Sequence, residues 1–114
     1  METLQNNGHH LETLAQDGDN KVVYCHQCEA FHINYETISI DLKKVAVETL
    51  INNLRLYYQR YKGAVDPTHR CIHIGTPYMG IRLLLSISDL EDFGTLLREA
   101  CISYDRRFWK SLDN

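Results

Sequence analysis

One stretch of the chain, Tyr24 to His32, contains residue types that bind metals or carry out thiol chemistry. Cys25 and Cys28 are separated by two residues, and strand-forming residues flank them on both sides. A Cys-x-x-Cys turn between strands is typical of a zinc knuckle, in which two thiolates and two further ligands bind zinc at about 2.0 to 2.3 Å. The two cysteines are therefore the first candidate ligands.

A predicted β-hairpin precedes this turn. Residues 11–16 nearly alternate apolar and polar types, and Leu14 interrupts the alternation. Residues 17–20 are strong turn formers, and residues 21–24 return to β-forming types. The hairpin must bring the residues before its first strand close to the cysteine turn.

The hairpin register adds two histidines to the site. The turn favours pairing of Gln16 with Lys21. That register places His9 opposite Cys28, with His10 next to it. A metal at this position would stabilise the end of the sheet rather than catalyse a reaction. The predicted ligands of a structural zinc ion are Cys25, Cys28, His9 and His10, with His26 or His32 as alternatives to one of the two histidines.

The same turn allows other interpretations. A thiol redox pair needs a cysteine at a helix N-terminus, where its pKa falls, whereas this turn leads into a β-run. The cysteines can also be small turn residues that bind nothing. A metal- or thiol-dependent enzyme would need a general base beside Cys25, for which Glu29 and Glu12 are candidates. We predict no catalytic residue and favour a binding or regulatory module over an enzyme.

Length and composition indicate an ordinary globular protein. The 114 residues predict a single domain, with residues 1–8 as a loose lead-in and residues 105–114 as a fraying tail. Hydrophobic residues make up 44% of the chain and charged residues 24%, which is typical of folded proteins. The net charge of −3 argues against a protein that binds duplex nucleic acid.

The sequence predicts a cytoplasmic location and no membrane span. Residues 1–8 lack the basic and apolar regions of a signal peptide. The longest near-apolar run, residues 81–87, contains Arg82 and is far shorter than the roughly 20 residues of a membrane-spanning helix. In the cytoplasm the cysteines are expected to be reduced, which favours metal binding over disulfides.

Three other features carry weaker chemical signals. His69, Cys71 and His73 alternate along a predicted strand, but a small apolar cysteine near the core explains them. Cys101 lies on the apolar face of a predicted helix. Residues 106–110 mix cations with aromatic rings, as in proteins that bind single-stranded nucleic acid, but a basic helix end explains them equally well. We therefore do not expect a nucleic-acid partner.

The first half of the chain predicts a bent strand followed by a helix. Residues 31–40 alternate apolar and polar types, with a bend or bulge at Glu36-Thr37. Asp41 is a candidate N-cap for a helix over residues 43–62, which has apolar residues at helical spacing. Gly63 is expected to end that helix.

The second half predicts a hairpin and a second helix. Residues 69–74 and 81–87 form strands around a Gly- and Pro-containing turn. Ser88 and Glu91 match a capping box, and apolar residues at helical spacing follow from residue 90 to 104.

Together these elements predict an α+β fold. We expect an antiparallel sheet of four or five strands with two amphipathic helices packed on one face, in a weak β-β-α pseudo-repeat. The uncovered face of the sheet favours association with a protein partner or a homodimer.

Several short features of the chain occur together: residues 14–18, the Cys25-x-x-Cys28 turn, the strand to Asp41 with its helix, residues 80–85 and the helix at 90–100. On these features the chain resembles an uncharacterised family of short cytosolic proteins, mostly from Bacteroidetes-type bacteria. The resemblance would extend over residues 10–104 and implies a fold rather than an activity. It also implies a cysteine or histidine just before the first strand, which His9 and His10 match, and a glycine is more usual where Glu29 stands.

Overall fold

A computed structural model describes the backbone of residues 11–113 and the side chains of residues 11–108. The fold is α+β, as predicted. No helix in the described part of the chain is long and apolar enough to cross a membrane. The elements are β1 (Leu11–Asp17), β2 (Asn20–Cys25), β3 (Ala30–Tyr35), β4 (Ile38–Leu42), α1 (Lys44–Tyr61), β5 (Ile72–Gly75), β6 (Arg82–Leu85) and α2 (Ile87–Asp113).

The strands form two antiparallel sheets. Strands β1 to β4 lie side by side in chain order, and β5 pairs with β6 in a separate hairpin. One face of the larger sheet packs against α1 and α2, because its side chains there are apolar. Phe31 and Ile33 on β3, Leu54 on α1, and Phe93 and Leu97 on α2 are all essentially inaccessible to solvent in this core.

The predicted hairpin register holds beside the turn and shifts further along. Gln16 pairs with Lys21 as expected, but a bulge between Thr13 and Ala15 moves the register by one residue. The bulge turns Leu14 into the core, where it is 8% exposed. The break in alternation at Leu14 was therefore the sign of a bulge.

The predicted bent strand is two strands. Tyr35 pairs with Ile38, so Glu36 and Thr37 form a tight turn between β3 and β4. Glu36 takes a positive φ of 52°, which sharply reverses the chain direction. The alternating pattern was correct within each strand, but sequence alternation cannot distinguish a bend from a reversal.

The helix lies close to its predicted bounds, but its predicted N-cap is wrong. Helix α1 runs from Lys44 to Tyr61, and Gly63 follows it with a φ of 80°, as expected for a C-terminal stop. The N-cap position is Lys43, which makes no capping hydrogen bond through its side chain. Asp41 lies in β4 instead.

The second helix begins earlier than predicted. Helix α2 starts at Ile87, and its capping box is formed by Ser86 and Asp89 rather than by Ser88 and Glu91. The Asp89 N–H donates to the Ser86 hydroxyl at 3.0 Å, and the Ser86 N–H donates to the Asp89 carboxylate at 2.9 Å. The Ser86–Asp89 and Ser88–Glu91 motifs overlap in the sequence. The tertiary contacts of Asp89 stabilise the helix start at Ser86.

Candidate metal centre

The Cys25–Cys28 turn is closed by two hydrogen bonds around Cys25. Cys25 ends β2, and its Sγ accepts a hydrogen bond from the Cys28 N–H at 3.1 Å. The Glu29 N–H donates to the Cys25 carbonyl at 2.8 Å and closes the turn. Glu29 takes a φ of 55°, a left-handed conformation that normally favours glycine. The turn therefore forms without the glycine that is usual there.

Three ligand-bearing side chains converge at this turn. The ligand atoms of Cys25, Cys28 and His32 all lie within 4.8 Å of one another. Cys25 is buried, His32 is half-buried and Cys28 is exposed. Atoms bound to one tetrahedral zinc ion lie about 3.5 Å apart, so the three need to approach by only about 1 Å.

Strand register explains why His32 belongs to this group. His32 on β3 pairs with Val23 on β2, and Cys25 lies two residues further along β2. Residues two apart on a strand point to the same face, so His32 and Cys25 are diagonal neighbours on one face of the sheet. That face is opposite the one that packs against the helices, because Phe31 and Ile33 on either side of His32 are buried in the core.

A carboxylate on the next strand orients the histidine. Asp41 pairs with His32 across β3 and β4, and its Oδ1 lies 2.6 Å from His32 Nδ1. A carboxylate on one ring nitrogen selects the tautomer that leaves Nε2 available as a metal ligand. Asp41 thus has the place of an outer partner of a metal-binding histidine.

Electrostatics at the site disfavour the thiolate form of Cys28. The hydrogen bond with Cys25 raises the pKa of the Cys28 thiol. Partial burial by itself lowers the pKa of His32, but hydrogen bonds with Asp41 and Cys25 outweigh it and raise this pKa above its ordinary value. A catalytic or redox role for Cys28 would need a lowered pKa. Metal coordination has no such need, because the metal ion itself displaces the thiol proton.

Glu12 and Glu29, the two candidate general bases, lie in different surroundings. Glu12 Oε1 lies 2.6 Å from His26 Nε2, and its second oxygen accepts a hydrogen bond from Arg107. The His26 ring stacks on Phe108, with centroids 6.3 Å apart. His26, an alternative ligand in the sequence interpretation, is therefore not part of the three-residue group. Glu29 is exposed on the turn.

The other cysteines do not form a second centre with any of the described residues. Strand β5 begins only at Ile72, so His69 and Cys71 precede it, and the predicted strand was too long. Cys71 packs partly against the core, while His69 and His73 are exposed. Within residues 11–108, the group at Cys25 is the one set of three or more potential ligands that lie close together. Burial raises the pKa of Cys101 to about 11, and this half-buried residue packs against the core from the apolar face of its helix.

Two of the four predicted ligands, Cys25 and Cys28, are brought together, and the other two, His9 and His10, lie outside the described residues. The sequence interpretation named His32 only as an alternative ligand and missed Asp41 as its partner. The four-residue loop from His26 to Glu29 was the available signal, because pairing Cys25 with Ala30 places His32 beside the thiols.

The chain was compared with family profiles, curated proteins and solved structures. The profile of a family of unknown function matches residues 7–111. The chain belongs to this family, DUF6686. No curated protein and no solved structure matches the chain. Membership of a family of unknown function assigns no activity to the chain.

Proposed function

We propose that the protein is a small cytoplasmic binding or regulatory module whose Cys25–Cys28 turn and His32 hold a structural zinc ion. The convergence of these three ligands carries the proposal. Two thiolates with imidazole nitrogens are a ligand set that favours zinc over harder cations. The reducing cytoplasm keeps such thiols available for metal.

The fourth ligand in this proposal is His9 or His10. Leu11 is the first residue of β1 and pairs with Cys25 at the site. His10 and His9 are the two residues that precede Leu11 in the chain, and consecutive Cα atoms are about 3.8 Å apart. A four-ligand site of this kind closes coordination and would leave no open position for substrate.

A structural role follows from the position of the ligands. Cys25 belongs to β2, Cys28 to the turn and His32 to β3, so a metal ion would join one end of the sheet. Lys43, at the start of α1, also donates from Nζ to the Cys28 carbonyl at 2.8 Å. Metal binding would therefore stabilise the packing of the turn on the sheet and on α1.

Elemental analysis of the protein purified without chelator tests this proposal. We expect about one equivalent of zinc, lost together with thermal stability in Cys25→Ser/Cys28→Ser. Cys71→Ser is the matched control and should keep its zinc. Separate His9→Ala and His10→Ala variants identify the fourth ligand by the weaker zinc affinity of one of them. Absence of metal from the wild-type protein, including after incubation with zinc and dialysis, would contradict the proposal.

A further inference from the structure

Two strand edges face each other across a gap. Strand β4 is the last strand of the larger sheet, and β6 pairs only with β5 among the described strands. Cavities of about 480 and 230 Å³ lie between them. Residues 37–41 line the larger cavity together with Ile81 and Leu83, and residues 35–38 line the smaller one together with residues 82–85. The gap therefore follows β4 from Ile38 to Asp41.

The backbone of β4 presents hydrogen-bonding groups to this gap. The Tyr78 hydroxyl, from the β5–β6 turn, donates to the Asp41 carbonyl across it. The Asp41 carbonyl therefore points away from β3. Alternate residues of a strand direct their backbone groups to the same side, so the N–H and C=O of Ser39 also point into the gap. The Ser39 groups, which have no hydrogen-bond partner across the gap among the described residues, are complementary to another extended chain.

The helix side of the gap is apolar. A cavity of about 370 Å³ lies between β4, α1 and the β5–β6 turn, with Ile40, Leu42 and Leu50 among its lining residues. A strand added to β4 would direct every second side chain towards this cavity and the others towards solvent. Its apolar residues should therefore alternate with polar ones.

One end of the gap carries a cation. Arg82 lines the smaller cavity, is exposed, and forms no ion pair with any residue of the described chain. The neighbouring Arg70 is bound to Asp89. Glu36, at the same end, accepts a hydrogen bond from the Asn20 side chain. Arg82 is thus the cation at this end that pairs with no carboxylate of the described chain, and an incoming carboxylate complements it.

We propose that the gap between β4 and β6 binds an extended peptide, which pairs with β4 as an added strand and places a carboxylate near Arg82. Backbone pairing would provide affinity, and the alternating side chains would provide specificity. The five residues of β4 span roughly 16 Å, enough for about five peptide residues at 3.3 Å each. The occupant is a polypeptide because only a repeating backbone matches the donors and acceptors of a strand edge.

Selection from a phage-displayed library of random heptapeptides on the full-length protein tests the proposal. We expect enriched peptides with alternating apolar residues and an Asp or Glu. A synthetic copy should bind Ser39→Pro about tenfold more weakly than wild type, because proline removes the amide donor from the gap. Ser39→Ala is the matched control and should bind normally. Proline is tolerated on edge strands, and circular dichroism verifies that Ser39→Pro folds.

Arg82→Glu provides a second test that does not alter the backbone. Selection on this variant should enrich Lys or Arg in place of the acidic residue, and the wild-type peptide should bind it at least about fivefold more weakly. No enrichment over an unrelated protein would overturn the proposal, as would peptides that bind Ser39→Pro as tightly as wild type. A dimer in light scattering that Ser39→Pro dissociates would also overturn it, since a second copy would then occupy the gap.

Discussion

Asp89 connects three parts of the fold through one buried carboxylate. It is 5% exposed and accepts hydrogen bonds from Arg70 at 2.7 and 3.2 Å. The Tyr35 hydroxyl donates to it at 2.9 Å, and so does the Ser86 N–H. Replacing the carboxylate with the amide in Asp89→Asn removes the charge while nearly preserving the volume. We expect this variant to be less stable at neutral pH.

The magnitude follows from the pKa of Asp89. Burial alone raises this pKa, but Arg70 and the hydrogen bonds from Ser86 and Tyr35 outweigh burial and lower it from 3.8 to about 2. A difference of this size corresponds to about 2 kcal/mol of folding free energy. Because the folded-state pKa lies below the unfolded value, this stabilisation is complete above about pH 5 and is lost as the pH falls towards 2.

Urea denaturation followed by circular dichroism measures both quantities. At pH 7, Asp89→Asn should lower the free energy of unfolding by about 2 kcal/mol. The difference between wild type and variant should shrink steadily between pH 5 and pH 2.5. Release of any bound metal at low pH affects both proteins alike, so the difference reports the carboxylate.

Asp92→Asn is the matched control, because Asp92 is exposed less than one turn further along the same helix. This control should retain wild-type stability at pH 7 within about 0.5 kcal/mol. The reasoning would be refuted if Asp89→Asn and wild type lost stability in parallel from pH 5 to pH 2.5, or if Asp92→Asn were equally destabilising.

Three further predictions concern the metal site and the core. Asp41→Asn should weaken zinc binding by about 10- to 100-fold in a chelator competition, because Asp41 orients His32. Asp19→Asn, on the hairpin turn, is the control and should bind zinc as wild type does. Equal zinc affinities of the two variants would mean that Asp41 does not support His32. Glu29→Gly should raise the free energy of unfolding by about 1 kcal/mol in urea, since the residue holds a φ of 55°, and a destabilised variant would show that the turn is not strained. Phe93→Ala should lower the free energy of unfolding by about 3 to 5 kcal/mol in urea, because the ring is fully buried in the core. A loss below about 1 kcal/mol would show that the core is loosely packed.

Local features of the sequence were enough for most of the secondary structure. Helix α1 matches its prediction within a residue at each end, because helical periodicity and a stop at Gly63 are properties of neighbouring residues. The first hairpin also follows from its turn residues, which set the pairing of Gln16 with Lys21. The Cys25–Cys28 spacing alone identified the turn that the structure supports as a candidate metal site.

What the tertiary structure decided is which distant residues meet. His32 approaches the thiols because β2 and β3 pair in one register, and Asp41 reaches His32 only because Glu36 and Thr37 reverse the chain. The start of α2 depends on contacts from Arg70 and Tyr35, which are remote in sequence from Asp89. Such outcomes depend on the relative free energies of whole arrangements of strands and helices. Local spacing does not encode those energies, so the sequence predicted the Ser88–Glu91 capping box, whereas the fold uses Ser86 and Asp89.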